Sequence, residues 1–319
     1  MARSNSFRFG MQAARVNDPR EWVALARQAE DAGYSSFMIP DHLGRLSTFP
    51  ALMAAAAGTT TIKLATYVLN QDWRPPAILA QEAASVHLLT GGRLELGIGA
   101  GWARHEYAQA GLRYDPAATR VARFGEYVEV VKGLLAATEP FSYRGRFFEI
   151  SGFQPLPRSA APAPILVGGG SARILAIAGR LADIISVSTP ASPDGRVDMS
   201  KISLAAVEDK VRWIRSAAMD RFDQIELNMT VRDVRIADDR RAAARRLLAE
   251  WAAVPERLAN VDRLTEEAVL DSPHVAIGTS EQIVEQFETA RERWGFCYIE
   301  VSSSDAEAMA PVVERLAGR

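Results

Sequence analysis

The sequence predicts a single α/β domain folded as a (β/α)8 TIM barrel, with inserted segments at the C-terminal rim of its strands. Three observations carry that expectation. A chain of 319 residues that is 48% hydrophobic has enough apolar material for one large barrel core. Eight short runs rich in β-branched and aromatic residues are nearly continuous in apolar character, as parallel strands covered on both faces are. Helix start and stop signals stand between those runs, and alternating strand and helix builds βα units. An open doubly wound sheet would need fewer strands or a second domain, and no linker marks a boundary.

The eight runs are FRFGM (7–11), SFMI (36–39), KLATYVL (63–69), LELGIG (94–99), PILVG (164–168), DIISVS (183–188), QIELNMTV (224–231) and CYIEVS (297–302). In the first intervening segment Asp18 is a candidate N-cap, Pro19 takes the first helical position, Glu21 supports a capping box and Gly33 closes the helix. Trp22, Leu25, Ala26 and Ala29 give that helix one apolar face. In the last complete unit Thr279 and Gln282 have capping-box spacing ahead of a stripe of Ile283, Val284, Phe287 and Ala290. Two stretches read as additions: residues 139–163, a hairpin about Gly145 with a proline-rich return, and residues 252–276, an irregular segment with an extra helix over one rim.

Composition narrows the function classes. The 37 basic and 39 acidic residues leave a net charge of −2 and are scattered along the chain, so no basic stripe marks a nucleic-acid binder. The single cysteine, Cys297, rules out an internal disulfide and a thiolate metal cluster, and the four histidines do not group as metal ligands. No apolar run reaches membrane-span length, and the first sixteen residues lack the apolar core of a signal peptide. The expectation is a cytoplasmic protein with no membrane partner. Nucleophile elbows, zinc-protease motifs and Walker loops are missing, so hydrolase and metalloenzyme readings lose their usual signs.

A barrel gathers its active site at the C-terminal ends of the strands. Run two leads into Asp41 and His42, and run three into Asn70, Asp72, Trp73 and Arg74. Run four leads into Trp102, Arg104, His105, Glu106 and Tyr107, run five into Gly168, Gly169, Gly170 and Ser171, and run six into SVST. Polar and aromatic groups thus converge on one rim, as a pocket for a large, partly aromatic ligand requires.

GIGAGW, residues 97–102, invites a Rossmann reading and fails it. The third glycine comes one residue too soon, the strand is the fourth, and the nearest acidic candidate, Asp115, falls in a loop. Gly97, within the strand, suits close approach of a neighbouring strand or helix. Gly99 and Gly101, at the strand tip, suit a flat ring lying against backbone with Trp102 beside it. ILVGGGSARIL is the better phosphate turn, since its glycines run into Ser171 and an apolar-periodic helix whose first N–H groups face an anion.

His42, beside Asp41 at a strand tip, is the candidate catalytic residue: an imidazole can move a proton near neutral pH or hydrogen-bond a substrate or ring carbonyl. His105 and Glu106 open a helix near the same rim. His87 and His274 read as structural, and Arg240, Arg241, Arg245 and Arg246 as a solvated helix face.

The run from Asp41 to Trp102, with its L-T-G-G-R-L-x-L-G-x-G-A-G-W segment, closely resembles the bacterial luciferase-like superfamily of flavin and deazaflavin barrels. Within it, the chain most resembles the actinobacterial F420-dependent oxidoreductases, and ILVGGG extends the likeness over essentially the whole chain. The resemblance implies a bulge at Tyr67 and Val68, often with a cis peptide, behind the central cofactor ring. It places Asp41 and His42 beside ring and substrate, Asn70 and Arg74 among the cofactor contacts, Gly101 and Trp102 at the ring's edge, and Gly168–Ser171 on the phosphate. Sugar-phosphate dehydrogenases of the superfamily carry a catalytic glutamate where this chain has Trp102, which puts that substrate class in doubt. The implied activity is hydride transfer between coenzyme F420 and a small organic substrate, with His42 as proton donor or acceptor. The alternatives are an FMN-dependent monooxygenase fed with reduced flavin by a partner reductase, and a ligand-binding homologue without turnover. A homodimer is the implied assembly.

Overall fold

Strand residues apolar on both faces must be covered on both, and the chain does this by closing its sheet. In the computed structural model, which describes residues 6–13, 18–192 and 195–319, eight parallel strands form one ring. They are β1 (Arg8–Gln12), β2 (Ser36–Ile39), β3 (Lys63–Thr66), β4 (Leu94–Gly99), β5 (Ile165–Gly169), β6 (Ile184–Val187), β7 (Glu226–Thr230) and β8 (Phe296–Ser302). Each pairs with the next, and β8 returns to β1 with Arg8 opposite Tyr298 and Gln12 opposite Ser302. This is the (β/α)8 barrel that the alternation of elements predicts. Half of the signal-peptide reading, residues 1–5 and 14–16, lies outside the described residues; no described helix is long and apolar enough to cross a membrane.

The surrounding helices are α1 (Pro19–Asp31), α2 (Thr48–Gly58), α3 (Pro76–Leu89), α4 (Ala117–Ala136), α5 (Ala172–Leu181), α6 (Leu204–Ala218), α7 (Ser280–Trp294) and α8 (Ala306–Leu316). Asp18 caps α1 by accepting from the Arg20 N–H, and Gly33 follows it with φ +82°. The Thr279–Gln282 capping box opens α7. Residues on the outer faces of the strands, such as Phe9, Phe37, Ile98 and Ile299, join the inner faces of these helices in the main core.

Run three is one strand by composition, yet it breaks: the Tyr67–Val68 peptide is cis, and pairing with β4 resumes at Leu69–Asn70. Residues 141–153 form an antiparallel hairpin, and the Glu126 carboxylate of α4 accepts the N–H groups of Arg146, Phe147 and Phe148 at its turn. The second addition starts earlier than residue 252. Directly after β7, Asp233–Ile236 pairs in parallel with Val275–Gly278, and the helix Arg240–Ala252 crosses between them. That helix buries Ala243, Ala244, Leu247 and Trp251 with Met199, Val269 and Ile277 in a second core, and Arg241, Arg245 and Arg246 lie on its exposed face. Arg240 donates to the Ile277 carbonyl, while Arg241 and Arg245 pair with Glu267 and Glu266.

Candidate active site

The lumen is built in layers, because every second strand residue points inward. At the N-terminal end the Arg8 guanidinium is held by both oxygens of Glu226 at 2.6 Å and by Glu95 at 2.8 Å, stacked 3.4 Å over the Tyr298 ring. A charge cluster so fully paired closes the barrel floor. Above it the Tyr67 hydroxyl spans the lumen to Ser186, Asn228 and Thr230, at 2.5, 2.9 and 2.8 Å. Burial pushes this phenol well above its ordinary value, with Glu300 adding to the effect, so it acts as a neutral hydrogen-bonding strut.

At the mouth, His42 follows β2 and Glu106 lies on the short helix Arg104–Gln109 that follows β4. The His42 Nδ1 and a Glu106 carboxylate oxygen are 2.8 Å apart. Glu106 is 8% exposed and His42 29%, so the carboxylate is the buried orienter and the ring remains reachable from the mouth. With Nδ1–H donating to the carboxylate, Nε2 is left for a reacting partner. Trp102 meets the imidazole edge-on at a centroid distance of 6.1 Å and is 45% exposed. The Trp102 carbonyl accepts from the Tyr114 hydroxyl, and Tyr114 packs edge-on against Tyr107.

The rest of the expected set divides. Asp41 turns inward: Oδ1 accepts from Thr48 Oγ1, while Oδ2 accepts from the Asn70 N–H and from Arg74, both at 3.1 Å. Arg74 also reaches Glu82, and Asn70 Oδ1 accepts from the Asp72 N–H and the Tyr107 hydroxyl. The polar atoms of these three side chains brace the β2, β3 and β4 loops against one another. Asp115, the acidic residue of the failed Rossmann reading, pairs with Arg123, which also holds Asp72.

The glycines at the tip of β4 stand in close contact with neighbouring residues. A Cβ on Gly97 would lie 1.9 Å from the Thr66 carbonyl oxygen, the close strand approach its mid-strand position suggests. A Cβ on Gly99 would meet Val68 at 2.6 Å, and one on Gly101 would meet the Tyr107 hydroxyl at 2.0 Å and Asn70 at 2.5 Å. Val68 fills the Cβ direction at Gly99, and Tyr107 with Asn70 fills it at Gly101. Val68, folded inward by the bulge, also packs on Gly168, so it floors the mouth between β4 and β5. The turn Gly168–Ser171 leads into α5, and the Ser171 N-cap makes no side-chain capping bond. The first-turn N–H groups, at an exposed helix start, are left to solvent or to a ligand. Gly170 is obligatory there, since its Cβ would stand 2.2 Å from the Ser188 carbonyl oxygen.

Glu106 and Glu300 are the residues that sequence reasoning undervalued. Glu106 lay among several rim candidates, and nothing local singled out the one that reaches a histidine 64 positions earlier. Glu300 did carry a signal, an acidic residue inside an otherwise apolar strand run. His274, read as structural, is buried: its Nδ1 hydrogen-bonds the Thr230 carbonyl at 2.9 Å and its Nε2 lies 3.4 Å from Lys210 Nζ.

Comparison with known proteins agrees with this architecture. The family model described as luciferase-like monooxygenase matches residues 4–297. An uncharacterised protein of Mycobacterium tuberculosis is 32% identical over 181 residues, 49% of this chain and 62% of that one. The F420-dependent glucose-6-phosphate dehydrogenase of Nakamurella multipartita is 30% identical over 267 residues, 80% of this chain and 76% of that one. Among solved structures, an F420-dependent secondary alcohol dehydrogenase superimposes with a TM-score of 0.73 at 17% identity, covering 98% of both chains. The closed barrel, the broken third strand and a family match over nearly the whole length together establish that this chain belongs to the luciferase-like monooxygenase family.

Proposed function

We propose that this protein is an oxidoreductase that moves a hydride between the deazaflavin coenzyme F420 and a small organic alcohol or carbonyl compound. The single observation that carries the reading is the His42–Glu106 pair, 2.8 Å apart beside Trp102 at the barrel mouth. The residues present fit such a cofactor. Val68 floors the mouth under a flat ring, and the uncapped start of α5 after three glycines suits the phosphate of the cofactor tail. Gly168, Gly169, Gly170 and Ser171 would hold that phosphate, Tyr67 and Val68 would back the ring, and Trp102 would wall one edge.

A bound deazaflavin supplies a carbon that gives or takes a hydride. The chain supplies the proton. When an alcohol is oxidised, its hydroxyl proton passes to His42 Nε2; when a carbonyl is reduced, Nε2–H donates to the forming hydroxyl. Glu106 fixes the tautomer and orientation of the imidazole and stabilises its protonated form. Trp102 narrows the mouth and excludes water from the reacting atoms. Trp102, standing where sugar-phosphate dehydrogenases carry a catalytic glutamate, argues against sugar-phosphate oxidation, although a relative carries that name.

The family's description favours one second reading, an FMN-dependent monooxygenase supplied with reduced flavin by a partner reductase. Fluorescence titration of the purified protein with F420 and with FMN separates the two. F420 binding at least about tenfold tighter than FMN supports hydride transfer, and the reverse order overturns it. Binding without turnover on a broad alcohol and carbonyl panel would favour a ligand-binding homologue.

The assembly we propose is a homodimer through α2 and α3. Their exposed residues include Pro50, Ala54, Ala57, Ile78, Leu88 and Leu89, and the two helices pack side by side. This outer face is largely apolar, with Glu82 as its charged residue, and a face of that kind is what an isologous interface covers.

A further inference from the structure

β8 alternates, with Ile299 and Val301 in the outer core and Tyr298 and Glu300 in the lumen. Glu300 is 2% exposed, and its Oε2 has no hydrogen-bond partner. The rest of the carboxyl lies against the hydroxyls of Thr230 on β7 and Tyr67 beyond β3. A buried polar atom left without a partner costs about 1–3 kcal/mol, and among the few such atoms of the described residues Glu300 Oε2 is the one carried by an inward-facing residue of a barrel strand. Tyr67 belongs to the cis bulge whose neighbour Val68 floors the mouth, so the orphan oxygen shares the upper lumen with the proposed ring site.

The groups facing this carboxyl are Tyr67 from β3, Thr230 and Arg232 from β7 and the segment after it, and Asp305 from beyond β8. Burial pushes Glu300 up to about 8; the Thr230 hydroxyl, Arg232 and Tyr67 oppose the shift, and Asp305 adds to it. At neutral pH the group is therefore a carboxylic acid, able to donate through one oxygen and accept through the other. Flavin and deazaflavin rings share a uracil-like edge in which N–H and C=O alternate, and a neutral carboxyl complements it in both senses. A carboxylate could only accept, and it would repel the ring carbonyls.

We propose that Glu300 is a cofactor-contacting residue whose free carboxyl oxygen hydrogen-bonds the uracil-like edge of the ring held at the barrel mouth. The proposal rests on the reading that a flavin-type ring binds there. The test is fluorescence titration of wild type, Glu300→Gln and Glu300→Leu with F420 and with FMN, at about pH 6.5 and about pH 9.5. Wild type is expected to lose roughly tenfold in affinity across that range, from one charge-dependent hydrogen bond. Glu300→Gln, a neutral isostere, keeps affinity within about threefold of wild type at the lower pH and loses little at the higher. Glu300→Leu, with its fold checked by circular dichroism, binds about tenfold more weakly at the lower pH and shifts the absorbance of the bound ring. Equal affinities for all three proteins, or a pH loss that persists undiminished in Glu300→Gln, overturn this assignment alone. Failure of wild type to bind either ring overturns both this assignment and the reading on which it rests.

Discussion

His42 and Glu106, 64 residues apart in sequence, meet at 2.8 Å across the barrel mouth, and the carboxylate is the more buried partner. A histidine oriented in this way has one nitrogen committed and one available. Replacing His42 by Ala is expected to lower kcat by about 10²–10⁴-fold with cofactor affinity nearly unchanged. Glu106→Gln should fall between, at roughly 10–100-fold, because the imidazole remains but its tautomer is no longer fixed. Steady-state kinetics with separate cofactor titrations check both, and a His42→Ala enzyme with wild-type kcat would refute the role.

Ser171 opens α5 without capping it, so its hydroxyl contributes little to helix stability. Ser171→Ala should leave Tm within about 1–2 °C of wild type. If the hydroxyl reads the phosphate, the same variant weakens a phosphate-bearing cofactor about three- to tenfold and leaves a ring without phosphate unaffected. Comparing FMN with riboflavin provides the measurement.

Gly170 offers a harsher change at the same turn. An added Cβ would run into the Ser188 carbonyl, so Gly170→Ala should cost roughly 1–3 kcal/mol and disturb the anion turn. Denaturant unfolding together with cofactor titration would show both losses. Unchanged stability would mean that the β5 and β6 loops yield.

Burial, with Lys210 beside it, pushes His274 down to about 3 from 6.5. Between those values the unfolded chain binds the proton and the folded one does not, so this residue makes stability fall as pH falls through the window. The loss amounts to roughly 2–3 kcal/mol by about pH 4.5. Glu300, raised to about 8 from 4.5, has the opposite sense, its contribution being lost as pH rises towards 8. His274→Gln should therefore flatten the acid limb, read as the difference from wild type in unfolding free energy between about pH 6.5 and about pH 4.5. A difference that does not change with pH would show that His274 titrates normally.

Ile78 and Leu89 are exposed on α3. The double variant Ile78→Glu, Leu89→Glu is expected to turn a dimer into a monomer, since two buried carboxylates per subunit cost several kcal/mol. Light scattering on wild type and variant decides it, and a monomeric wild type removes the proposal.

Much of this protein is local and therefore legible in its sequence. Strands apolar on both faces, the Asp18 cap, the Thr279–Gln282 box and the glycines before α5 each depend on neighbours a few residues away, and LELGIG and SFMI become β4 and β2 at the same boundaries. His42 is placed at a strand tip by the same short-range pattern. What closure of the barrel decides is which rim residues face one another. It sets Glu106 against His42, turns Asp41, Asn70 and Arg74 into mutual partners, and fills the space at Gly99 and Gly101 with Val68 and Tyr107. It also buries Glu300 with one oxygen unpaired. Those relations join strands and loops far apart in the chain. They depend on strand register and on loop packing around a closed ring, which neither periodicity nor composition encodes.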